Sequence, residues 1–307
     1  MLAAAVLLLV GLTLTIRWCR TAYRPWGSAA PHADSAEEIA EEPTSATPSS
    51  LQLTTLRYLR GVAVGLVGGF WAGALLTGPA GRLIMRLLAV TAGEDAQGKI
   101  TEAEEVVGRI DLGGSLALYI FGGILPGLLS GVIYVVIRRW LPGGILGGMS
   151  FGALHLVLAA TRVDPLRPDN PDFDIVGPGW LAVATFGLAA IVHGMAVAAI
   201  ANRYSQAFQA DARTRRERLA IILPLLPPLL VLVPGLFLVV PIVLGLFLTL
   251  ALSRVDAIVR ALRSRLALIA GRVVLVGLAV ITLPTTLADV ADIVFREDTA
   301  ALTQFTS

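Results

Sequence analysis

The apolar residues of this 307-residue chain lie in long blocks, and this feature most constrains what the chain can fold into. A block of about 17–25 apolar residues is long enough to cross the hydrocarbon core of a bilayer as an α-helix. Only 15% of the residues are charged, against about 25% in soluble domains. The pattern excludes a soluble enzyme and predicts an all-α fold, a polytopic transmembrane helix bundle.

The apolar blocks predict about eight spans, or seven if the first is not a true span. The first, residues 2–16, is short and has its arginines behind it, which is the reverse of a secretory signal and favours an anchor. The other seven spans cover approximately residues 59–77, 116–137, 143–161, 178–202, 219–234, 236–252 and 267–283.

These spans divide into two predicted modules. Residues 57–204 form a Gly-rich transmembrane module. Residues 219–307 form a Leu- and Pro-rich module, which contains a hairpin turning at Pro234-Gly235 and an outer tail helix capped near Thr286. Three other segments complete the chain: an N-terminal anchor (1–26), a disordered acidic cytoplasmic linker (27–56) and a basic cytoplasmic connector (205–218).

The distribution of positive charge predicts the orientation. The segments on one side of the spans carry 16 Lys and Arg residues and those on the other side carry seven. Because basic residues concentrate in cytoplasmic loops, both termini are predicted outside. Arg outnumbers Lys 23 to 1, a bias typical of GC-rich bacterial genomes, so we place the chain in a bacterial inner membrane. The outer segments are acidic, and Thr101 with Glu104 has the spacing that caps a short helix.

Glycine recurs at every fourth residue in three successive spans. Such spacing forms a flat stripe on one helix face, which lets a neighbouring backbone approach closely in lipid. We interpret the stripes as helix-packing surfaces; the alternative is that they line a pore or slot. The stripe residues are Gly61, Gly65, Gly69 and Gly73, then Gly123, Gly127 and Gly131, and then Gly144, Gly148 and Gly152.

Three ionisable residues lie within the predicted spans, His155, His193 and Arg272, and such residues are functional candidates. We consider the two histidines further. Small neighbours on the same faces orient both towards other helices. Each could hydrogen-bond a backbone carbonyl or a hydroxyl, take part in a proton relay, or hold a haem between two helices. Whether the two side chains meet is open. Zinc is disfavoured, because no third Cys, His or carboxylate lies at the depth of the two histidines; Cys19 is the only cysteine of the chain.

Arg82 and Arg86 follow a predicted helix break at Gly78-Pro79. A new helix start with two guanidiniums on one face could attract an anion or a lipid headgroup. The alternative is salt bridges to the acidic residues Glu102, Glu104 and Glu105. The oxygen-rich stretch 169–174 has the composition of an Asx/Pro turn, with a cation site as the alternative.

No motif in the sequence assigns a reaction. The chain has no Walker loop, dinucleotide fingerprint, HExxH or nucleophile elbow. The leading hypothesis is a non-catalytic scaffold or accessory component of a membrane assembly, with membrane lipids and other membrane-protein subunits as partners and no nucleic acid. The alternative is a transporter or channel for a small solute, an ion or protons that uses His155 and His193.

Overall fold

The computed structural model describes residues 1–23, 50–207, 215–232 and 236–305, and within these ranges the fold is helical, with no strand beyond one bridge between Ile100 and Val106. Three helices contain wider π turns: α2 (Ser50–Ala72, Gly73–Thr77, Gly78–Thr91), α3 (Leu112–Ala117, Leu118–Ile124, Leu125–Ile137) and α4 (Gly144–His155, Leu156–Ala160). The others are α1 (Leu2–Trp18), α5 (Gly179–Ala207), α6 (Arg215–Leu232), α7 (Leu236–Ser253), α8 (Asp256–Arg263) and α9 (Arg265–Phe305). Short 3₁₀ helices cover Glu94–Ala96 and Pro171–Asp174.

Four of these helices, α2, α3, α5 and α9, are long and apolar enough to cross a membrane. The apolar stretches of α1, α4, α6 and α7 are shorter, at 10–17 residues. The chain is therefore an all-helical protein with four membrane-length helices among the described residues, and the count of eight spans stays a prediction.

The predicted helix break at Gly78-Pro79 is wrong, because α2 continues through this point as a π turn. The N–H of Gly78 bonds to the carbonyl of Gly73, five residues back. In that register Pro79, which has no N–H, would face the carbonyl of Ala74. The hydroxyl of Tyr119 donates to this carbonyl instead. A side chain from α3 thus supplies the hydrogen bond that proline cannot make.

Two further boundaries differ from the predictions. Helix α2 begins at Ser50, seven residues before the predicted start of the module at residue 57. Most of the predicted linker, residues 24–49, lies outside the described residues, as does the predicted turn at Pro234-Gly235. Helix α9 runs without interruption through Pro284, so the predicted tail helix is a continuation of the last span.

Thr101 does not begin a helix. The backbone N–H of Thr101 donates to the carbonyl of Glu105, and the Thr101 hydroxyl accepts from the N–H of Glu105. These bonds close a tight turn in which Glu104 has a φ of 60°. The first membrane-length helix after this turn, α3, is instead capped by Asp111, whose carboxylate accepts from the N–H of Gly114 at 2.8 Å.

Helix α2 lies at the centre of the bundle, where it packs against α1, α3, α5, α6 and α7. Helix α4 packs along α5, and α9 contacts both of these helices. Four aromatic side chains of the N-terminal part donate hydrogen bonds to carbonyls of α6, α7 and α9. The pairs are Trp71 to Pro224 (3.0 Å), Tyr58 to Ile242 (2.6 Å), Tyr204 to Ile221 (2.5 Å) and Trp140 to Ala267 (3.2 Å).

Candidate functional site

The glycine series bring helix backbones into direct contact. A Cβ placed on Gly65 would lie 3.1 Å from Cα of Val132, and one on Gly73 would lie 3.0 Å from Cα of Ile124. The same close approach joins Gly69 to Gly127 and Gly131, and Gly123 to Gly78. The series on α2 therefore faces the series on α3. Gly61, at the end of its series, has a looser contact, 3.5 Å to Cγ1 of Val135.

The third series packs on α5, but only from its second member. A Cβ on Gly148 would lie 2.7 Å from Cα of Met195, and one on Gly152 would lie 2.6 Å from Cα of Ile191. Gly144 does not belong to this packing surface. It begins α4 with a φ of 63° and has no heavy atom near its Cβ position, so its role is to start the helix.

This close contact of α4 with α5 brings the two histidines together. His193 lies at the midpoint of α5, and His155 precedes the π turn of α4. Their ring centroids are 6.0 Å apart and the rings are nearly perpendicular. His193 is 8% exposed. The question that the sequence left open is thereby answered: the two side chains are neighbours in the helix bundle.

His193 is hydrogen-bonded at both ring nitrogens to hydroxyls of other helices. Its Nδ1 lies 2.6 Å from Oγ1 of Thr77 on α2, and its Nε2 lies 2.7 Å from Oγ of Ser130 on α3. The Ser130 hydroxyl also lies 2.9 Å from the carbonyl of Gly127, and the Thr77 hydroxyl lies 3.4 Å from the carbonyl of Ala72. Each hydroxyl can therefore accept from the imidazole while it donates to a carbonyl, or donate to the imidazole, and either neutral tautomer makes both bonds. A neutral imidazole thus satisfies every group in this chain of bonds.

Thr77 reaches His193 from the last position of the π turn in α2. The turn contains one residue more than an α-helical turn, which rotates the residues that follow it around the helix axis. Neither Thr77 nor Ser130 was identified from the sequence. The signal available was a single Ser or Thr residue in each of two apolar spans, which by itself predicts nothing about its partner.

Further polar pairs lie between the histidines and the ends of α3 and α5 at Ile137 and Ala207. The hydroxyl of Tyr134 donates to Oδ1 of Asn202 at 3.0 Å, and Nη2 of Arg60 donates to the carbonyl of Ser205 at 2.6 Å. All four side chains are buried. Together with the His193 bonds, these pairs join α2, α3 and α5 at three successive depths.

His155 bonds within its own helix. Its Nδ1 lies 3.0 Å from the carbonyl of Phe151, and its ring packs edge-on against the Phe151 ring at 4.4 Å. An iron between the two histidines would need a free nitrogen from each, whereas both nitrogens of His193 are engaged. Gly152, three residues before His155, is in direct contact with the backbone of α5. In the described part of the chain, no group of three His, Cys, Asp or Glu residues is placed to hold a metal.

Arg82 and Arg86 lie near the C-terminal end of α2, away from the histidines. Because α2 is continuous here, it presents no free N–H groups to an anion. Arg86 donates to the carbonyl of Gly108 at 3.2 Å. A hydrogen bond to Asp111 raises the pKa of Glu105, and the positive charge of Arg82 opposes that shift.

The oxygen-rich stretch 169–174 is occupied by contacts within the protein. The Asn170 side chain accepts from the N–H of Asp172 at 2.7 Å, which is the bond of an Asx turn. Asp172 accepts from the N–H of Glu102 at 2.7 Å, and Asp174 pairs with Arg296 at 3.2 Å. Glu102 itself pairs with Arg167 at 2.6 Å. These contacts tie the loop between α2 and α3 to the loop between α4 and α5, and the latter loop to α9.

Comparison of the chain with known protein families, with curated proteins and with solved structures found no match.

Proposed function

We propose that this chain is a multi-pass protein of a bacterial inner membrane, with about eight spans and both termini outside, and that it acts as a non-catalytic scaffold or accessory component of a membrane assembly. One observation carries the proposal. His193, a buried ionisable side chain at the midpoint of α5, is engaged at both nitrogens by hydroxyls of two other helices. Its bonds connect helices, which is what a structural polar cluster does.

The surroundings of the histidines support this interpretation. A transport path requires contact between the ionisable group and water from at least one side. Two cavities in the described part of the chain, one beside Arg57 and Arg138 and the other beside Trp140 and Arg272, are not lined by a histidine. The glycine contacts that surround the cluster bring backbones together and favour a dry, closely packed core.

The proposal predicts a stable partner. The experiment is purification of the full chain in mild detergent, followed by size-exclusion chromatography and mass spectrometry of the peak. We expect a second membrane protein to co-elute in a fixed ratio, and we expect it to be absent when an unrelated polytopic protein is purified in parallel. A chain that elutes alone as a monomer from several mild detergents would contradict the scaffold proposal.

A second candidate is a proton transporter, favoured by one specific observation. The two imidazole rings are 6.0 Å apart, and polar pairs continue from His193 towards the inner ends of α3 and α5. Its test is the decay of a pH gradient across liposomes that contain the protein. Decay faster than in protein-free liposomes, abolished by His193→Gln and retained in Arg82→Gln, would favour transport over the scaffold proposal.

A further inference from the structure

A cavity of about 390 Å³ opens between the inner ends of α2 and α3, beside Tyr23 and the α7 residue Thr249. Three guanidinium groups line it, those of Arg57, Arg60 and Arg138. No carboxylate is found among the described residues of its lining. The cavity therefore brings three positive charges of the described residues together at one place.

The arginines are held in place by the protein. Arg60 is 6% exposed and donates to the carbonyl of Ser205. The guanidinium carbon of Arg138 lies 3.1 Å from the centroid of the Tyr23 ring, a cation–π contact. The Nε of Arg138 is buried and has no hydrogen-bond partner in the described part of the chain. Arg60 and Arg138 are also close enough for their charges to repel. An anion between them would relieve the repulsion and accept hydrogen bonds.

The rest of the lining is apolar. Val62 follows Arg60 along α2, and Val132, Val135 and Val136 precede Arg138 along α3. In both helices the valines lie further into the bundle than the arginines. The cavity thus has a positive end near the C-terminal end of α3 and an apolar wall further along both helices, and these match the phosphate and the acyl chain of a phospholipid.

We propose that this cavity binds one anionic phospholipid, with its phosphate on Arg57, Arg60 and Arg138 and an acyl chain along the valines. The predicted topology places these arginines at the cytoplasmic leaflet, where anionic lipids attract basic residues. A free phosphate ion would use the same guanidiniums but not the apolar wall. The site is independent of the scaffold proposal, because a transporter could carry it equally well.

Native mass spectrometry of the full chain, delipidated and then titrated with phosphatidylglycerol, tests the proposal. The variants are Arg57→Gln and the double variant Arg57→Gln/Arg138→Gln, with Arg254→Gln as the matched control. Arg254 is an exposed arginine at the inner end of α7 and does not line the cavity. We expect the affinity for phosphatidylglycerol to fall about five-fold for the single variant and about thirty-fold for the double variant. The control should bind like the unaltered chain.

Two competitors separate the sources of the phosphate group. Phosphatidylcholine, which has no net charge, should bind more weakly than phosphatidylglycerol, and inorganic phosphate should not displace the bound lipid. Size-exclusion chromatography of each variant verifies that it is folded, and Arg57→Gln, which changes an exposed residue, keeps the test valid if the double variant is unstable. Equal binding of the two lipids, displacement by inorganic phosphate, or unaltered affinity in the folded Arg57→Gln variant would overturn the proposal.

Discussion

Replacing Gly69 by alanine tests the contact between α2 and α3 most sharply. A Cβ at this position would lie 2.8 Å from the carbonyl carbon of Gly127 and 3.0 Å from Cα of Gly131. Carbon atoms in contact normally lie about 3.5–4.0 Å apart, so the two helices must separate by about 1 Å. Both neighbours are backbone atoms and cannot rotate away. The separation would also stretch the bond from Ser130, the neighbour of Gly131, to His193.

The expected cost follows from two opposing effects. Overpacking of this kind costs about 1–3 kcal/mol, and alanine returns about 1 kcal/mol through its higher helix propensity. We expect Gly69→Ala to lower the free energy of unfolding by about 2 kcal/mol. This value takes the upper end of the overpacking range, because neither helix backbone can move independently. Gly61→Ala is the matched control, since its Cβ would make an ordinary contact of 3.5 Å with Val135. The free energy of unfolding of Gly61→Ala should rise by up to about 1 kcal/mol.

The assay is unfolding of the purified protein in mild detergent by titration with sodium dodecyl sulfate, followed by tryptophan fluorescence. The two variants should differ by about 3 kcal/mol in their free energy of unfolding. If Gly69→Ala is as stable as Gly61→Ala, the helices do not pack backbone to backbone at this position, and the interpretation of the glycine stripes is refuted.

Three other predictions follow from particular contacts. The Trp71 indole donates to the carbonyl of Pro224, and this carbonyl has no donor within its own helix because Pro228 has no N–H. We therefore expect Trp71→Phe to lower the free energy of unfolding by about 1–3 kcal/mol in the same titration. The loss should be smaller in a Pro228→Ala background, where the helix supplies its own N–H. A hydrogen bond from the N–H of Gly114 lowers the pKa of Asp111. The Asp111 cap therefore stabilises the fold at pH values above the pKa of the unfolded state, and this stabilisation is lost as the pH falls through the lowered pKa. Asp111→Ala should lower the melting temperature at neutral pH and lower it less in acid, and an equal effect at both pH values would contradict the assignment. The purified protein should show no visible absorption band, and a Soret band would overturn the geometric argument against haem.

The sequence predicted the features that depend on local composition. Helices of membrane length follow from apolar blocks, because an unsatisfied backbone cannot be tolerated in lipid. The glycine series predicts which helix faces can pack, because small residues at every fourth position form a flat surface whatever lies opposite. Gly144 fits the four-residue spacing but does not pack against α5, because it begins α4. The spacing alone cannot distinguish a glycine that begins a helix from one that packs.

The sequence could not predict partners that lie far apart in the chain. A proline pattern predicted a break in α2, but the donor that keeps the helix continuous comes from Tyr119, 45 residues away from Ala74. The bonds from Thr77 and Ser130 to His193 depend on a π turn and on the crossing of three helices. Such contacts are set by tertiary packing, and a single threonine in an apolar span carries no mark of them.

The central claim is that the histidine cluster is a dry, structural junction between helices. The most direct measurement is chemical labelling of imidazoles with diethyl pyrocarbonate in the purified protein, with the modified residues identified by mass spectrometry. We predict that His193 is protected in the folded protein and reacts after denaturation, because both of its nitrogens are hydrogen-bonded and the side chain is 8% exposed. Rapid labelling of His193 in the folded protein would reveal a path for water to the centre of the bundle and would contradict the account.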